Sequence, residues 1–207
     1  MIPLDKRDNA IAKKIASLRY VAQVDESGVG CLAGDLIVAA VILDKENPID
    51  GLNDSKKLSE GKRIKLYDEI IAKALDFCIV HITPKQIDDS NILAMRMYGM
   101  KKAIAGLQYV EHALIDGNKI PNGLTIPADY IIKGDAKFSG IAAASILAKV
   151  IKNKEMIEKS KYYPQYAFHQ HKGYPTLLHK SMLEKYGPCA IHRMSYRPVQ
   201  LSLCEKA

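Results

Sequence analysis

Apolar residues along the chain fall into two patterns, which predict strands and helices. Mainly apolar runs, which suit buried strands, occupy positions 21–24, 36–43, 77–82, 112–115 and 130–132. Helical spacing precedes the first run, at Ile11, Ile15 and Leu18, and recurs between later runs. We therefore expect an α/β fold with a five-stranded mixed sheet whose first two strands pair as a hairpin.

Three predicted helices are defined well enough to assign faces. The first begins after Ser59, its expected N-cap, and the second lies between the third and fourth predicted strands. The third follows Asp135 and is rich in small residues, so it can lie close to the sheet. The residues expected to pack inward are Ile64, Tyr67, Ile70, Ile71 and Ala74 in the first helix and Leu93, Met97, Met100 and Ile104 in the second. Near the far end of the third helix, Lys149, Lys152 and Lys154 could contact phosphate, but we expect them to be solvated.

Acidic residues beside glycine follow three of the predicted strands. Asp25 and Glu26 follow the first strand, Asp116 follows the fourth and Asp135 follows the fifth. In a mixed sheet these strand ends can be neighbours, so we expect the four carboxylates to share one site. Independent, solvated turns are the alternative.

Four carboxylates in one site need a cationic partner, because their charges repel one another. Oxygen ligands without nearby histidine or cysteine suit Mg²⁺ or Mn²⁺. Two such ions about 3.5 to 4 Å apart promote in-line displacement at a phosphodiester. The pattern alone therefore leads to two-metal phosphodiester chemistry.

Composition narrows the class of protein further. The 207 residues carry a formal net charge of +7, which favours a polyanionic partner such as nucleic acid. The four cysteines lack metal-ligand spacing, which favours reduced thiols in a cytoplasmic protein. The longest apolar run, residues 36–43, is too short to cross a bilayer. We expect no membrane association and, without any oligomer signal, a monomer.

Two segments suit contact with nucleic acid. Lys56 and Lys57 precede a helix start, where backbone amides also favour phosphate, although a solvated basic face is the alternative. Residues 162–174 combine tyrosines and histidines suited to stacking on sugars or bases, and Tyr174 is the residue that we select. For Tyr174, packing of the carboxy-terminal segment on the core is the alternative. Four histidines are expected to hold loops and helices rather than transfer protons: His169, His171, His179 and His192.

Motifs that occur in a fixed order resemble those of the ribonuclease HII family, the type 2 ribonucleases H. The resemblance rests on Asp25-Glu26-Ser27-Gly28-Val29-Gly30, Asn53-Asp54-Ser55-Lys56-Lys57-Leu58-Ser59, Asp116-Gly117-Asn118, Lys133-Gly134-Asp135 with residues 141–149, His171-Lys172-Gly173-Tyr174, and Gly187-Pro188 through His192-Arg193. The likeness spans about residues 20–199, and the motifs together are highly specific.

The resemblance implies a ribonuclease H-like fold with a five-stranded mixed sheet flanked by helices. Residues 1–160 would form the catalytic core, and residues 161–207 a C-terminal helical extension and tail. It also implies a metal-dependent endoribonuclease that hydrolyses the RNA strand of RNA–DNA hybrids and cleaves at ribonucleotides embedded in duplex DNA, leaving 5′-phosphate and 3′-hydroxyl ends. A catalytically weak or silent hybrid-binding module of the same fold is the alternative. Ribonuclease HIII, which usually carries an additional amino-terminal domain, is a rival that we rank lower.

The resemblance also assigns roles to residues. Asp25, Glu26, Asp116 and Asp135 would be catalytic and hold Mg²⁺ or Mn²⁺. Backbone groups of Gly28, Val29 and Gly30 would read the ribose 2′-hydroxyl together with Tyr174, whose ring would pack on the neighbouring deoxyribose. Lys56 and Lys57 would belong to the substrate-binding surface.

Three positions depart from the family pattern. Val29 stands where the family usually has Arg or Lys, and Cys31 and Asp35 stand in place of prolines. Loss of one charge-assisted phosphate contact is worth roughly 1 to 3 kcal/mol, so we expect weaker binding or a relaxed junction preference with activity retained. Asp35 either adds a negative charge near the metal site or points into solvent.

The tail segment Gln200-Leu201-Ser202-Leu203-Cys204 resembles the bacterial sliding-clamp-binding pentapeptide except at its last position. Residues Gln200, Leu201, Ser202 and Leu203 could dock in extended form in an apolar groove of a clamp. The alternative, which we favour, is a tail strand or turn that packs Leu201 and Leu203 on the core.

Overall fold

The computed structural model describes residues 2–204, with Cys204 described by its backbone alone. The strands are β1 (Val21–Ser27), β2 (Leu36–Ile42), β3 (Asp76–Ile82), β4 (His112–Asp116) and β5 (Ala128–Ile131). The α-helices are α1 (Lys6–Ile15), α2 (Glu60–Lys73), α3 (Pro84–Asp88), α4 (Ile92–Ala105), α5 (Ser139–Tyr162), α6 (Phe168–His171), α7 (Leu177–Tyr186) and α8 (Arg197–Cys204). Single 3₁₀ turns lie at Gly134–Ala136 and Pro164–Tyr166.

The strands form one mixed sheet in the order β3-β2-β1-β4-β5. β1, β2 and β3 pair antiparallel, whereas β4 pairs parallel to β1 and to β5. The predicted α/β fold with a five-stranded mixed sheet, including the β1–β2 hairpin, is confirmed. Because β1, β4 and β5 run in the same direction, their carboxyl ends meet at one edge of the sheet.

Helices cover both faces of the sheet, because β2 is apolar and buried along its whole length. On one face, Met100 and Ile104 of α4 pack with Val38 of β2. On the other face, Ile70 of α2 and the alanines of α5 pack with Ile37. The core is therefore two apolar layers with the sheet between them.

Small residues bring α5 close to the sheet, as expected. A Cβ on Gly140 would lie 2.2 Å from Gln23 Nε2 of β1, so a larger residue there would have to displace the Gln23 side chain. Ala142, Ala143 and Ala144 are fully buried on the same helix. The helix consequently runs past the carboxyl end of β1.

The prediction that certain helix residues face inward is wrong for some of them. In α2, Ile64 and Ile71 are 40% and 36% exposed, and Leu66 is buried with Ile70 instead. Each residue turns a helix by about 100°, so Ile71 cannot share the inner face with Ile70 unless that face is broad. Leu93 of α4 is likewise 64% exposed, because the face that meets the sheet runs through Met100 and Ile104. The first strand also extends through Asp25 and Glu26 rather than ending before them.

The carboxy-terminal helices pack through a group of stacked aromatic and histidine rings. The His171 and His179 rings stack with centroids 4.2 Å apart, and the Nε2 atoms of His179 and His192 are 3.0 Å apart. His179 Nδ1 lies 2.9 Å from the Tyr174 carbonyl oxygen, so it donates there and leaves Nε2 to accept from His192. Burial lowers the pKa of His179 to about 3 and that of His192 to about 4. These neutral histidines hold the segment together, as predicted.

The tail forms α8 rather than a strand or turn. Val199 and Ser202 are buried, whereas Leu201 and Leu203 are 51% and 44% exposed. The expectation that Leu201 and Leu203 pack on the core is therefore wrong, because the helix turns the other side of the segment inward. The side chain of Cys204 lies outside the described part of the chain.

Within residues 2–204, no helix has both the length and the hydropathy that crossing a membrane would require.

Candidate active site

A cleft of about 330 Å³ opens where the carboxyl ends of β1 and β4 meet. Its walls include all four predicted carboxylates, Asp25, Glu26, Asp116 and Asp135. The cleft is also lined by most of the predicted substrate-binding residues, namely Gly28, Val29, Gly30, Lys56 and Tyr174. Lys57 does not line this cleft. Independent, widely separated turns at the strand ends are thus excluded for these carboxylates.

Asp25 and Glu26 project to opposite faces of β1, because successive strand residues alternate. Asp25 is buried on the α5 side, and its Oδ1 accepts a hydrogen bond from the Glu26 amide at 2.7 Å. Glu26 projects to the α4 side, where its Oε1 lies 2.8 Å from Arg96 Nε. The cleft edge of β1 therefore presents carboxylates to both layers of helices.

Asp116 and Asp135 are linked by the turn between them. Asp116 Oδ1 accepts a hydrogen bond from the Gly134 amide at 2.7 Å. Lys133 takes a left-handed conformation with φ of 56° and starts the 3₁₀ turn that carries Asp135 into the cleft. Lys56 Nζ approaches Asp135 Oδ2 at 3.9 Å from an 80% exposed side chain, so this pair is loose.

Burial shifts the pKa of every carboxylate in the cleft upward. It raises the pKa of Asp25 well above its usual value, and the charges of Glu26 and Asp116 add to the shift. Burial also raises the pKa of Glu26, against the opposing effect of Arg96, and that of Asp116, against its hydrogen bond from Gly134. The pKa of Asp135 is raised by burial and then by nearby Asp54 and Asp116. Burial, the largest cause in each case, disfavours the ionised form of all four carboxylates, which a bound cation would stabilise.

The donor set fits a hard divalent cation. All four groups offer carboxylate oxygens, which are the ligands that Mg²⁺ and Mn²⁺ favour. Glu26 Oε2 is buried and has no hydrogen-bond partner among the described residues. A buried acceptor without a partner is costly, and a bound cation would satisfy it.

The glycine turn beside the carboxylates is fixed from within the protein. Gly28 has φ of +107°, a region that favours glycine. Fully buried Arg193 donates from Nη1 to the carbonyl oxygens of Gly28 at 2.7 Å and Val29 at 3.1 Å. Arg193 Nη2 also donates to the Gly34 carbonyl oxygen at 2.9 Å. The turn's carbonyl groups thus face the interior of the protein.

Tyr174 closes the other side of the cleft with two lysines. Its hydroxyl accepts a hydrogen bond from Lys149 Nζ at 2.9 Å, and Lys152 Nζ lies 4.0 Å from its ring centroid. Lys152 is almost fully buried and donates to the Lys172 carbonyl oxygen. Burial lowers the pKa of both Lys149 and Lys152. The expectation that these two lysines are solvated is wrong, because α5 turns them under the carboxy-terminal segment; Lys154 is exposed, as expected.

Asp35 points neither into solvent nor towards the carboxylates. Its Oδ1 lies 3.3 Å from Lys159 Nζ, and its Oδ2 lies 3.9 Å from His81 Nδ1. His81 in turn lies 2.9 Å from Glu155 Oε1. Lys159 therefore compensates the extra charge of Asp35 outside the cleft.

Two arginines that contact the site were missed by reasoning from the sequence. Arg96 interrupts the apolar stretch of residues 92–100, and a lone charge in such a stretch is the signal that marks it. Arg193 lies within a recognised motif, but nothing local indicates that it reaches back to Gly28. Ser55 and Ser145, whose Oγ atoms are 3.0 Å apart, also line the cleft and were not singled out.

Comparison with protein families gives one match over most of the chain. The sequence model of the family described as Ribonuclease HII matches residues 22–199. The ribonuclease HII of Shewanella loihica is 50% identical over 184 residues, which cover 87% of this chain and 88% of that protein. The ribonuclease HII of Vibrio campbellii is 50% identical over 186 residues, covering 89% of this chain and 87% of that protein.

Solved structures with the same fold are also similar. The ribonuclease H2 of Pyrococcus horikoshii OT3 has a TM-score of 0.75 at 25% identity, covering 90% of this chain and 97% of that chain. The RNase HII of Archaeoglobus fulgidus, solved as a complex with PCNA, has a TM-score of 0.74 at 24% identity, covering 86% and 95%. Bst-RNase HIII, solved in complex with Mn²⁺, has a TM-score of 0.74 at 16% identity, covering 98% and 75%. The last two likenesses show the fold alone.

Proposed function

Because the chain belongs to the ribonuclease HII family and is an endoribonuclease, we propose that it uses a divalent cation to cleave two substrates. These are the RNA strand of RNA–DNA hybrids and duplex DNA that contains embedded ribonucleotides. The products are 5′-phosphate and 3′-hydroxyl ends. The observation that carries the proposal is the meeting of Asp25, Glu26, Asp116 and Asp135 in one cleft, with Glu26 Oε2 buried and without a hydrogen-bond partner in the described part of the chain.

The four carboxylates are the proposed ligands of Mg²⁺ or Mn²⁺, in a two-cation site. A cation held there supplies Lewis-acid stabilisation of the phosphate charge and an activated water. The chain's own part is to hold the ligands in place. The Glu26 amide fixes Asp25 Oδ1, and the Gly134 amide fixes Asp116 Oδ1, before any substrate arrives. Such pre-organisation lowers the reorganisation that the reaction requires.

Recognition of the ribose is proposed for Tyr174 and the glycine turn. The Lys149 contact sets the direction of the Tyr174 hydroxyl, and Arg193 keeps the carbonyl groups of Gly28 and Val29 directed inward. Exposed Lys56, which lines the cleft, is proposed to contact a phosphate of the substrate, and Lys57, outside the cleft, a phosphate farther along. The contacts proposed for Tyr174 and the glycine turn would distinguish a ribonucleotide from its deoxy analogue, because only the former offers a 2′-hydroxyl, whereas the phosphate contacts are common to both.

The test uses a labelled RNA–DNA hybrid and a DNA duplex with one embedded ribonucleotide. Each is incubated with the protein in Mg²⁺, Mn²⁺, Ca²⁺ or EDTA, and the product ends are analysed. Cleavage in Mg²⁺ or Mn²⁺ with 5′-phosphate ends, and none in EDTA, is expected. Binding without cleavage under every condition would instead support the silent hybrid-binding module.

A sliding clamp is a second proposed partner, through the exposed Leu201 and Leu203 of α8. PCNA is the partner of the A. fulgidus protein in its solved complex. Docking in extended form requires α8 to unwind at its end, so weak binding is expected. A Cys204→Phe variant should bind the host's clamp more tightly; absence of binding by both forms would remove the proposal. The monomeric state and cytoplasmic location stay predictions.

A further inference from the structure

Among the described residues, two basic side chains form ion pairs with the four carboxylates of the cleft. The closer of the two is Arg96 of α4. Its Nε lies 2.8 Å from Glu26 Oε1, compared with 3.9 Å between Lys56 Nζ and Asp135 Oδ2. The Arg96 side chain is 17% exposed and that of Lys56 is 80% exposed. Arg96 is therefore a desolvated positive charge at one proposed cation ligand, whereas Lys56 is a solvated one.

The surrounding backbone makes room for this guanidinium. Arg96 Nη2 donates to the Asp116 carbonyl oxygen at 3.1 Å. Gly117, with φ of +110°, lies directly beside it, and a Cβ there would be 2.9 Å from Arg96 Nη2. The side chain is thus held between the ends of β1 and β4, where it cannot swing aside without losing both contacts.

The contact with Glu26 is an ion pair without the alignment of a hydrogen bond. Arg96 Nε is 2.8 Å from Glu26 Oε1, yet Arg96 Nε and Glu26 Oε2 both lack aligned hydrogen-bond partners among the described residues. An ion pair that leaves both groups incompletely satisfied is easier to replace than a bidentate one. A doubly charged ion can therefore compete with Arg96 for Glu26.

We propose that Arg96 is a positioning residue that acts as a built-in cation for Glu26 and thereby sets the divalent-cation concentration that the site requires. The proposal rests on the metal-dependent function proposed above. Without the divalent ion, Arg96 compensates Glu26 and holds it against the end of β4. When the ion binds, it must share Glu26 with a fixed positive charge, so Arg96 weakens binding at that ligand while keeping it in place.

The test measures Mn²⁺ binding by isothermal titration calorimetry on chelator-treated protein at pH 8. Arg96→Met removes the positive charge and keeps an unbranched side chain whose helix propensity is close to that of arginine. We expect Arg96→Met to bind Mn²⁺ at least about tenfold more tightly, since a neighbouring positive charge in a low-dielectric site is lost. Arg96→Lys keeps the charge and should stay within about threefold of wild type.

Lys101→Met is the matched control, because it removes a positive charge from the same helix away from the carboxylate cleft. It should leave Mn²⁺ affinity unchanged. The gain in Mn²⁺ affinity from Arg96→Met should also vanish in a Glu26→Gln background, because the carboxylate for which Arg96 and the ion compete is then absent. A gain that persists in that background, or unchanged or weaker binding by Arg96→Met, would overturn the role of Arg96.

The experiment distinguishes an error in the proposed metal-dependent function from an error in the proposed role of Arg96. If wild type and all variants fail to bind Mn²⁺, the metal-dependent function itself is contradicted. If wild type binds and Arg96→Met gains nothing, only the role of Arg96 is contradicted. Thermal unfolding of each variant, measured in parallel, identifies any that do not fold, and Arg96→Gln then replaces Arg96→Met.

Discussion

Arg193 Nη1 donates to the Gly28 carbonyl oxygen at 2.7 Å, across a sequence separation of 165 residues. The same buried guanidinium also binds Val29 and Gly34, so one side chain ties the carboxy-terminal segment to the turn beside the carboxylates. The packing of the carboxy-terminal helices and the shape of the cleft are therefore coupled.

Arg193→Met should destabilise the protein by about 3 to 5 kcal/mol, because it removes charge-assisted hydrogen bonds to the carbonyl oxygens of Gly28, Val29 and Gly34 and leaves that of Gly34 with no other donor among the described residues. Urea unfolding monitored by circular dichroism measures the change. Arg197→Met, at an exposed position of α8, is the control and should cost less than about 0.5 kcal/mol. Equal stability of the Arg193 and Arg197 variants would contradict the clamping role of Arg193.

Tyr174→Phe should lower kcat/KM at a single embedded ribonucleotide by about 5- to 30-fold, the equivalent of losing one hydrogen bond of 1 to 2 kcal/mol. The ring over Lys152 is retained, so affinity for uniform DNA duplex should change little. Tyr162→Phe, at a site 80% exposed, controls for loss of a tyrosine hydroxyl. Unchanged discrimination between ribose and deoxyribose would show that Tyr174 has only a packing role.

Val29→Arg should tighten binding to the embedded-ribonucleotide duplex by about 1 to 3 kcal/mol and favour that substrate over uniform hybrid. The carbonyl of Val29 already accepts from Tyr196 at 2.6 Å, so the turn should keep its shape. Binding measured against salt concentration should gain about one unit of slope, as expected for one added phosphate contact. Val29→Leu is the uncharged control, and equal affinity and selectivity of the two variants would refute the argument.

His179 and His192 should make stability depend on pH. Their folded pKa values of about 3 and about 4 lie below the unfolded value of about 6.5. The unfolded chain therefore binds more protons below pH 6.5, and stability is lost as pH falls from there towards 4. At pH 5 the loss is about 2 kcal/mol for each histidine.

The measurement compares unfolding free energies at pH 7.5 and pH 5 in wild type and in His192→Gln. The carboxylates of the cleft have the opposite pH dependence, because their raised pKa values make the folded state bind more protons than the unfolded chain. Their contribution cancels in the difference between the two proteins. The variant should lose about one histidine's share of the pH dependence; an identical dependence in both would contradict neutral burial of His192.

The sequence predicted the parts of this site that depend on local pattern. The apolar runs ending in Asp25, Asp116 and Asp135 define strand ends, and strand direction then brings them to one edge of the sheet. The resemblance to ribonuclease HII motifs added the roles that we propose for Gly28 and Tyr174. Each of these inferences needs only the residues nearby in the chain.

The rest depends on contacts between distant segments. The neighbours of Lys152 in the sequence indicate an exposed polar position, yet Lys152 is buried because the carboxy-terminal segment folds over α5. Arg96 and Glu26 come from different layers, and nothing in either local sequence pairs them. The predicted inward orientation of Ile71 and Leu93 was wrong for a related reason, because the position of each helix against the sheet, and not its local sequence, decides which apolar residues are buried.

The central claim is that the strand-end carboxylates perform metal-dependent cleavage, and Asp116→Asn tests it most directly. The substitution keeps the shape of the side chain and an oxygen to accept from the Gly134 amide, so circular dichroism and thermal unfolding should show a retained fold. Asp89→Asn, at an exposed carboxylate paired with Lys85, is the control and should keep full activity. With labelled RNA–DNA hybrid in Mg²⁺ or Mn²⁺, Asp116→Asn should lose cleavage by about three orders of magnitude, since several kcal/mol of charge stabilisation are removed. A folded Asp116→Asn protein that cleaves the hybrid at a rate near that of wild type would contradict the account.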